Sequence, residues 1–149
     1  MILLDTSGLL SAIDSSQRHH RACAEVLRND PGPLILSPFV LAELDYLLAT
    51  QVGVAEQIML LEEVARGAYR LESFDAADVE AAREVMTRHG DLGIGLADAS
   101  IVVLAEKHRT RNVLTLDERH FRALRIGRRQ QFRVLPADLP RRPRRNVSD

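Results

Sequence analysis

Short apolar runs recur along the chain between longer stretches with helical patterning. They are Ile2-Leu3-Leu4, Leu34-Ile35-Leu36, a weaker Tyr69-Arg70-Leu71, and segments 112–116 and 132–135. Runs this short and this apolar suit strands buried on both faces, which occur in parallel sheets whose crossover helices cover both sides. The stretches between them read as helices over 19–28, 38–50, 54–66, 75–88, 96–107 and 118–124. Ser37-Pro38 supplies an N-cap with proline in the first helical position, and Asn29-Asp30-Pro31-Gly32-Pro33 and His89-Gly90-Asp91 are breakers. Thr6-Ser7-Gly8 ends the first run with residues suited to capping a following helix. The alternation predicts an α/β sandwich around a mainly parallel sheet, and 149 residues with 46% hydrophobic content is one domain's worth. In such folds sites form outside the carboxyl ends of the strands, where the strand order reverses.

Four acids fall where that architecture gathers side chains. Asp5 follows the first strand and Asp117 the fourth, while Glu43 and Asp98 lie in helices. A turn or helix cap is the plain alternative for Asp5 and for Asp117. Glu43 has Phe39 at i−4 and Leu47 at i+4, so it falls on an apolar stripe that predicts burial and a compensating partner. Asp45 sits similarly between Leu41 and Ala49, and spacing alone does not choose between the two. Asp98 interrupts a stripe of Ile94, Ile101, Val102 and Ala105 near a helix start, where the helix dipole offers partial compensation. Carboxylates brought close raise one another's pKa unless a hard cation such as Mg²⁺, or Mn²⁺ as an alternative, compensates them. Thr6, Ser7 and Thr115 are candidate hydroxyls for orienting the carboxylates. Asp91 is a candidate fifth acid, and of the five histidines only His120 falls near the proposed site, where it reads as solvent-facing filler.

Charge is divided along the chain. Residues 1–117 carry 10 Lys and Arg against 18 Asp and Glu, and residues 118–149 carry 10 against 3. A basic end beside an acidic body suggests a metal site next to a surface that attracts phosphates. Arg119, Arg122, Arg125, Arg128 and Arg129 are the candidate phosphate contacts. The tail from 137 to 149, with PRRPRR at 140–145, has no periodic apolar face and reads as disordered. One cysteine, Cys23, cannot make an internal disulfide, and no apolar run approaches the ~20 residues of a membrane span. A cytoplasmic location with no membrane association is the expectation.

The fragments DTSGLL, AELDYLL after Ser-Pro, DLGIGLADASIVVLAEK and VLTLDERHF, in this order and spacing, resemble the PIN domain, and within it the VapC toxins of type II toxin–antitoxin systems. The resemblance spans residues 1–136. It implies a three-layer sandwich of sheet order 3-2-1-4-5, and it places Asp5, Glu43, Asp98 and Asp117 on the family's acidic positions, choosing Glu43 over Asp45. It further implies a Mg²⁺-dependent endoribonuclease that cleaves tRNA or ribosomal RNA and so inhibits translation. Asp5 and Asp98 would hold the metal, Asp117 would complete or water-bridge the shell, and Glu43 would orient or deprotonate the attacking water. A VapB-type antitoxin and a homodimer are the implied partners.

Other readings fit less well. A phosphotransfer receiver needs an acidic pair after its first strand, and this chain has Asp5-Thr6; a phosphatase with an aspartyl nucleophile needs Asp-x-Asp, and position 7 is serine. A PIN fold used in RNA processing or DNA cleavage without a toxin role, or as a non-catalytic nucleic-acid-binding module, remains as the alternative.

Overall fold

The computed structural model describes residues 1–140. The tail expected to be disordered lies outside the described residues from position 141 onward.

Five strands form one sheet in the order β3-β2-β1-β4-β7, every neighbouring pair parallel. They are β1 (Ile2–Leu4), β2 (Leu34–Leu36), β3 (Arg70–Leu71), β4 (Asn112–Leu114) and β7 (Arg133–Leu135). The expected order is observed, with the last sheet strand at β7 because a hairpin of β5 (Arg125–Ile126) and β6 (Gln130–Gln131) precedes it. The sequence pattern does not reveal that hairpin. Its segment, RIGRRQQ, has a single large apolar residue, Ile126, and Gly127 takes the positive φ of 58° that its turn needs.

β1 and β4 are adjacent, with Leu3 opposite Val113 and Leu4 opposite Leu114. The chain leaves β1 toward β2 on one side and later returns to β4 on the other. The order therefore reverses at this pair, and a crevice opens beyond their carboxyl ends. The Asp5 amide still donates to the Leu114 carbonyl at 3.0 Å and the Thr115 amide to Leu135 at 3.0 Å, so both post-strand segments are pinned to the sheet.

The helices are α1 (Thr6–Ile13), α2 (His20–Asn29), α3 (Pro38–Leu47), α4 (Val54–Ala65), α5 (Ala76–Arg88), α6 (Leu96–His108) and α7 (Glu118–Ala123). Helix α1 begins immediately after Asp5, where the sequence suggested capping but no helix before position 19. Gly8 explains the difference. A Cβ there would lie 2.5 Å from the Leu114 carbonyl oxygen, so this glycine is what lets α1 lie against β4. Helix α3 starts as expected, with Ser37 Oγ accepting from the Phe39 amide, but gives way to a π turn over Leu48–Val52. Helix α5 carries a full capping box between Asp75 and Asp78. Helix α6 is buried continuously from Ala99 to Ala105, as expected of a helix wedged between neighbours, and it packs on α3, α5 and β1.

The core is one cluster that joins the sheet residues Ile2, Leu3, Leu4, Ile35, Leu36, Val113, Leu114 and Val134 to Leu9, Leu44, Ile101, Leu104 and Phe121 from the helices. Phe121 and Phe132 meet edge to face at 5.3 Å and fasten α7 to the residue that leads into β7. That contact fixes the base of the helix that carries two site residues, Asp117 at its N-cap and His120 in its first turn.

Candidate active site

Asp5, Glu43, Asp98 and Asp117 all line one cleft of about 400 Å³ at the carboxyl ends of β1 and β4, together with Thr6, Ser7 and His120. Among the described residues, no lysine or arginine lines it.

Asp5 is the deepest of the acids, with 5% of its surface exposed. It occupies the N-cap position of α1, yet its side chain caps nothing. Instead Oδ2 accepts from Thr115 Oγ1 at 2.6 Å and from Ser7 Oγ at 2.9 Å. Each hydroxyl has one proton and accepts in turn from a backbone amide, Thr115 from Asp117 at 2.9 Å and Ser7 from Leu116 at 3.0 Å. The two hydroxyls also lie 3.2 Å from each other, and their contacts with Oδ2 fix the orientation of the Asp5 carboxyl. Burial nevertheless pushes the Asp5 pKa up; the hydrogen bonds from Thr115, Ser7 and the Thr6 backbone oppose this, and the charge of Asp117 adds to it.

Asp117 does two jobs. Its Oδ1 accepts from the His120 amide at 3.1 Å, capping α7, while Oδ2 lies 2.9 Å from His120 Nδ1. The cap and site readings of this residue are thus compatible, one for each oxygen. Asp98 projects from the first turn of α6, with Oδ2 3.2 Å from His120 Nδ1. Burial, and after it the charge of Asp5, pushes the Asp98 pKa up to about 6, with Asp117 adding and His120 opposing.

Glu43 reaches the cleft from α3 but is exposed. The buried stripe expected from its spacing is not what forms, because the face of α3 that enters the core is that of Val40 and Leu44. Asp45, the competing acid, is drawn away to α4, where Gln57 Nε2 donates to its Oδ1 at 2.8 Å. Asp91 is exposed in a 3₁₀ turn and does not line the cleft.

The arginines divide. Arg122 makes a bidentate pair with Asp138 at 2.9 and 2.8 Å and a further bond to Glu118 at 2.8 Å. Arg125 Nη1 donates to the carbonyls of Arg122, Ala123 and Leu124, closing the end of α7. Both are engaged internally, a use their sequence positions do not reveal. Arg119 is exposed with no ion pair among the described residues, as are Arg128 and Arg129 in the hairpin turn.

His120 corrects the filler reading. Its side chain is 20% exposed and faces two site acids. Its signal in the sequence was the i, i+3 spacing from Asp117, which places both on one side of a helix start.

This donor set fits a divalent cation. Ligand atoms of Asp98, Asp117 and His120 lie within 4.8 Å of one another. Two buried polar atoms, Thr6 Oγ1 and His120 Nδ1, lack hydrogen-bond partners among the described residues. Ionised carboxylates crowded around a buried Asp5 are unfavourable without a compensating positive charge.

Residues 2–126 match the PIN domain family. Ribonuclease VapC26 of Mycobacterium tuberculosis (strain ATCC 25618 / H37Rv) is 45% identical over 135 residues, covering 91% of this chain and all of that protein. The crystal structure of Mycobacterium tuberculosis VapC20, a sarcin–ricin-loop-cleaving toxin, superposes with a TM-score of 0.74 at 21% identity, covering 79% of this chain and 91% of that one. VapBC2 from Rickettsia felis, solved with a DNA fragment from its promoter, gives 0.63 at 21% identity over 90% and 98% of the two chains. The parallel sheet reversing at β1 and β4, the acids beyond its carboxyl edge and the full-length match to a VapC ribonuclease together place this chain in the VapC group of the PIN domain family.

Proposed function

We propose that the chain is the toxin of a type II toxin–antitoxin pair, an endoribonuclease that hydrolyses one phosphodiester of a structured RNA, tRNA or ribosomal, and thereby stops translation. The observation that carries this reading is the convergence of Asp5, Asp98 and Asp117 on one cleft, with Asp5 buried and oriented by Thr115 and Ser7. The full-length similarity to a ribonuclease of the same family supports it.

Asp5 and Asp98 would hold Mg²⁺, with Mn²⁺ as the alternative, and Asp117 would complete or water-bridge the set. Such an ion, when bound, neutralises phosphoryl charge and makes water acidic enough to attack at neutral pH. Glu43, exposed at the same cleft, is positioned to orient the water and accept its proton. Because water is the nucleophile, the RNA 2′-hydroxyl takes no part, and the products carry 5′-phosphate and 3′-hydroxyl ends. Arg119 is the remaining candidate from α7 for a phosphate contact, and Arg128 and Arg129 extend the basic surface.

The partners are a VapB-type antitoxin and a second copy of the chain. An acid cleft free of lysine and arginine suits inhibition by a basic side chain from the antitoxin. Tyr46, Val54, Ile58 and Met59 leave apolar surface exposed on and around α3 and α4 that assembly would cover. Among the described residues, no helix is long and apolar enough to cross a membrane, and the cytoplasm is where RNA and antitoxin would be met.

The test is cleavage of purified tRNA and ribosomal RNA by the purified chain, with Mg²⁺ or with EDTA, beside Asp5→Asn. Cuts with 5′-phosphate ends that vanish with EDTA and in the variant are expected. Cyclic-phosphate products, or cleavage that survives both treatments, contradict the mechanism.

A further inference from the structure

We infer that His120 is itself a ligand of the divalent ion, so that the cluster has a nitrogen donor and prefers Mn²⁺ to Mg²⁺. This rests on the reading of the cleft as a metal site and goes further into it.

His120 Nδ1 is shut off from water and makes no hydrogen bond among the described residues, although it lies 3.2 Å from Asp98 Oδ2 and 2.9 Å from Asp117 Oδ2. Both distances are those of an ion pair, yet the nitrogen is left without a hydrogen-bond partner among the described residues. A ring nitrogen whose only purpose was to hold one of these acids would turn toward it, because a buried unpaired donor is costly. The observed placement is that of three donor atoms around a shared centre, and all three fall within 4.8 Å of one another. Neighbouring ligands at right angles around an ion at about 2.1 Å are about 3.0 Å apart, close to both spacings seen here.

The local structure presets this position. The His120 amide caps onto Asp117 Oδ1, which leaves Oδ2 beside the ring. An acid and a histidine three residues apart on a helix is an established way to present two ligands to one ion. Phe121, the next residue, is fully buried, so α7 cannot roll the ring away without breaking the core. Carboxylates suit Mg²⁺ and Mn²⁺ alike, and a nitrogen donor shifts that balance toward the transition ion. The preference follows from the ligand type.

The test is electron spin-echo spectroscopy of the purified full chain loaded with Mn²⁺. A directly coordinated ¹⁴N is expected, replaced by the ¹⁵N pattern when histidines are labelled and absent in His120→Asn. The variant should still bind Mn²⁺, about tenfold or more weakly, with Mg²⁺ affinity changed less than about threefold, so that selectivity collapses. Bound Mn²⁺ with no histidine nitrogen overturns the ligand role and leaves the metal site standing. Failure to bind Mn²⁺ at all overturns both. The wild-type spectrum decides the matter even if the variant does not fold.

Discussion

In the metal-free chain, Asp98→Asn should raise stability at neutral pH and do nothing below about pH 4. Burial of Asp98 and its proximity to Asp5 lift its pKa from 3.8 to about 6. A carboxyl whose folded pKa lies above its unfolded one stabilises the fold fully while both states are protonated. That contribution is lost as pH rises through the folded pKa, because the folded state must then ionise against burial and neighbouring charge. A shift of about two units is worth at most roughly 3 kcal/mol. The side chain is 19% exposed, and solvent and salt screen its neighbours, so we discount this to about 1–2 kcal/mol. Asparagine keeps the shape and cannot ionise. Urea unfolding with EDTA present should therefore show Asp98→Asn more stable than wild type by about 1–2 kcal/mol at pH 7.5, a melting shift of roughly 2–8 °C, with the gain gone near pH 4. Saturating Mn²⁺ should reverse the order at pH 7.5, since only wild type keeps the full ligand set. A gain that does not vary with pH, or a metal-free variant less stable than wild type at pH 7.5, would refute the electrostatic reasoning.

Other consequences follow from single contacts. Thr115→Val removes the 2.6 Å bond to Asp5 and leaves the Asp117 amide unpaired, so isothermal titration should show metal affinity about 10–100-fold lower at pH 7. Gly8→Ala forces a Cβ against the Leu114 carbonyl, and chemical denaturation should show a loss of about 1–3 kcal/mol. Arg119→Ala should weaken RNA binding and lower its salt dependence by about one phosphate contact without changing the melting temperature. Arg122→Ala should lower stability by about 0.5–1 kcal/mol instead, through its partners Asp138 and Glu118.

The sheet was legible because Ile2-Leu3-Leu4 and Leu34-Ile35-Leu36 are apolar on both faces, which few structures other than a covered parallel sheet accommodate. Helix α1 was not, because the reason for Gly8 is a contact with β4 more than a hundred residues away; read locally, glycine is a breaker. Asp5, Asp98 and Asp117 could be read from their places after strands and at a helix start. Glu43 emerged from family resemblance rather than from its spacing, which predicted a buried stripe where the structure has an exposed side chain. His120 falls near the site in the sequence but reads as filler, because histidine at a surface-patterned position has no periodic signature; only the fold shows that α7 turns it onto two acids. The engagement of Arg122 with Asp138 and of Arg125 with the end of α7 likewise depends on tertiary partners.

The central claim is that an acid cluster built around Asp5 cuts RNA with the help of a metal. Sequencing of 5′-phosphate RNA ends after brief expression of the wild-type chain beside Asp5→Asn tests it most directly. New ends at one site in a structured RNA, absent in the variant, are the predicted result. No new ends from a folded, metal-supplied wild type, or the same ends from the variant, would contradict it.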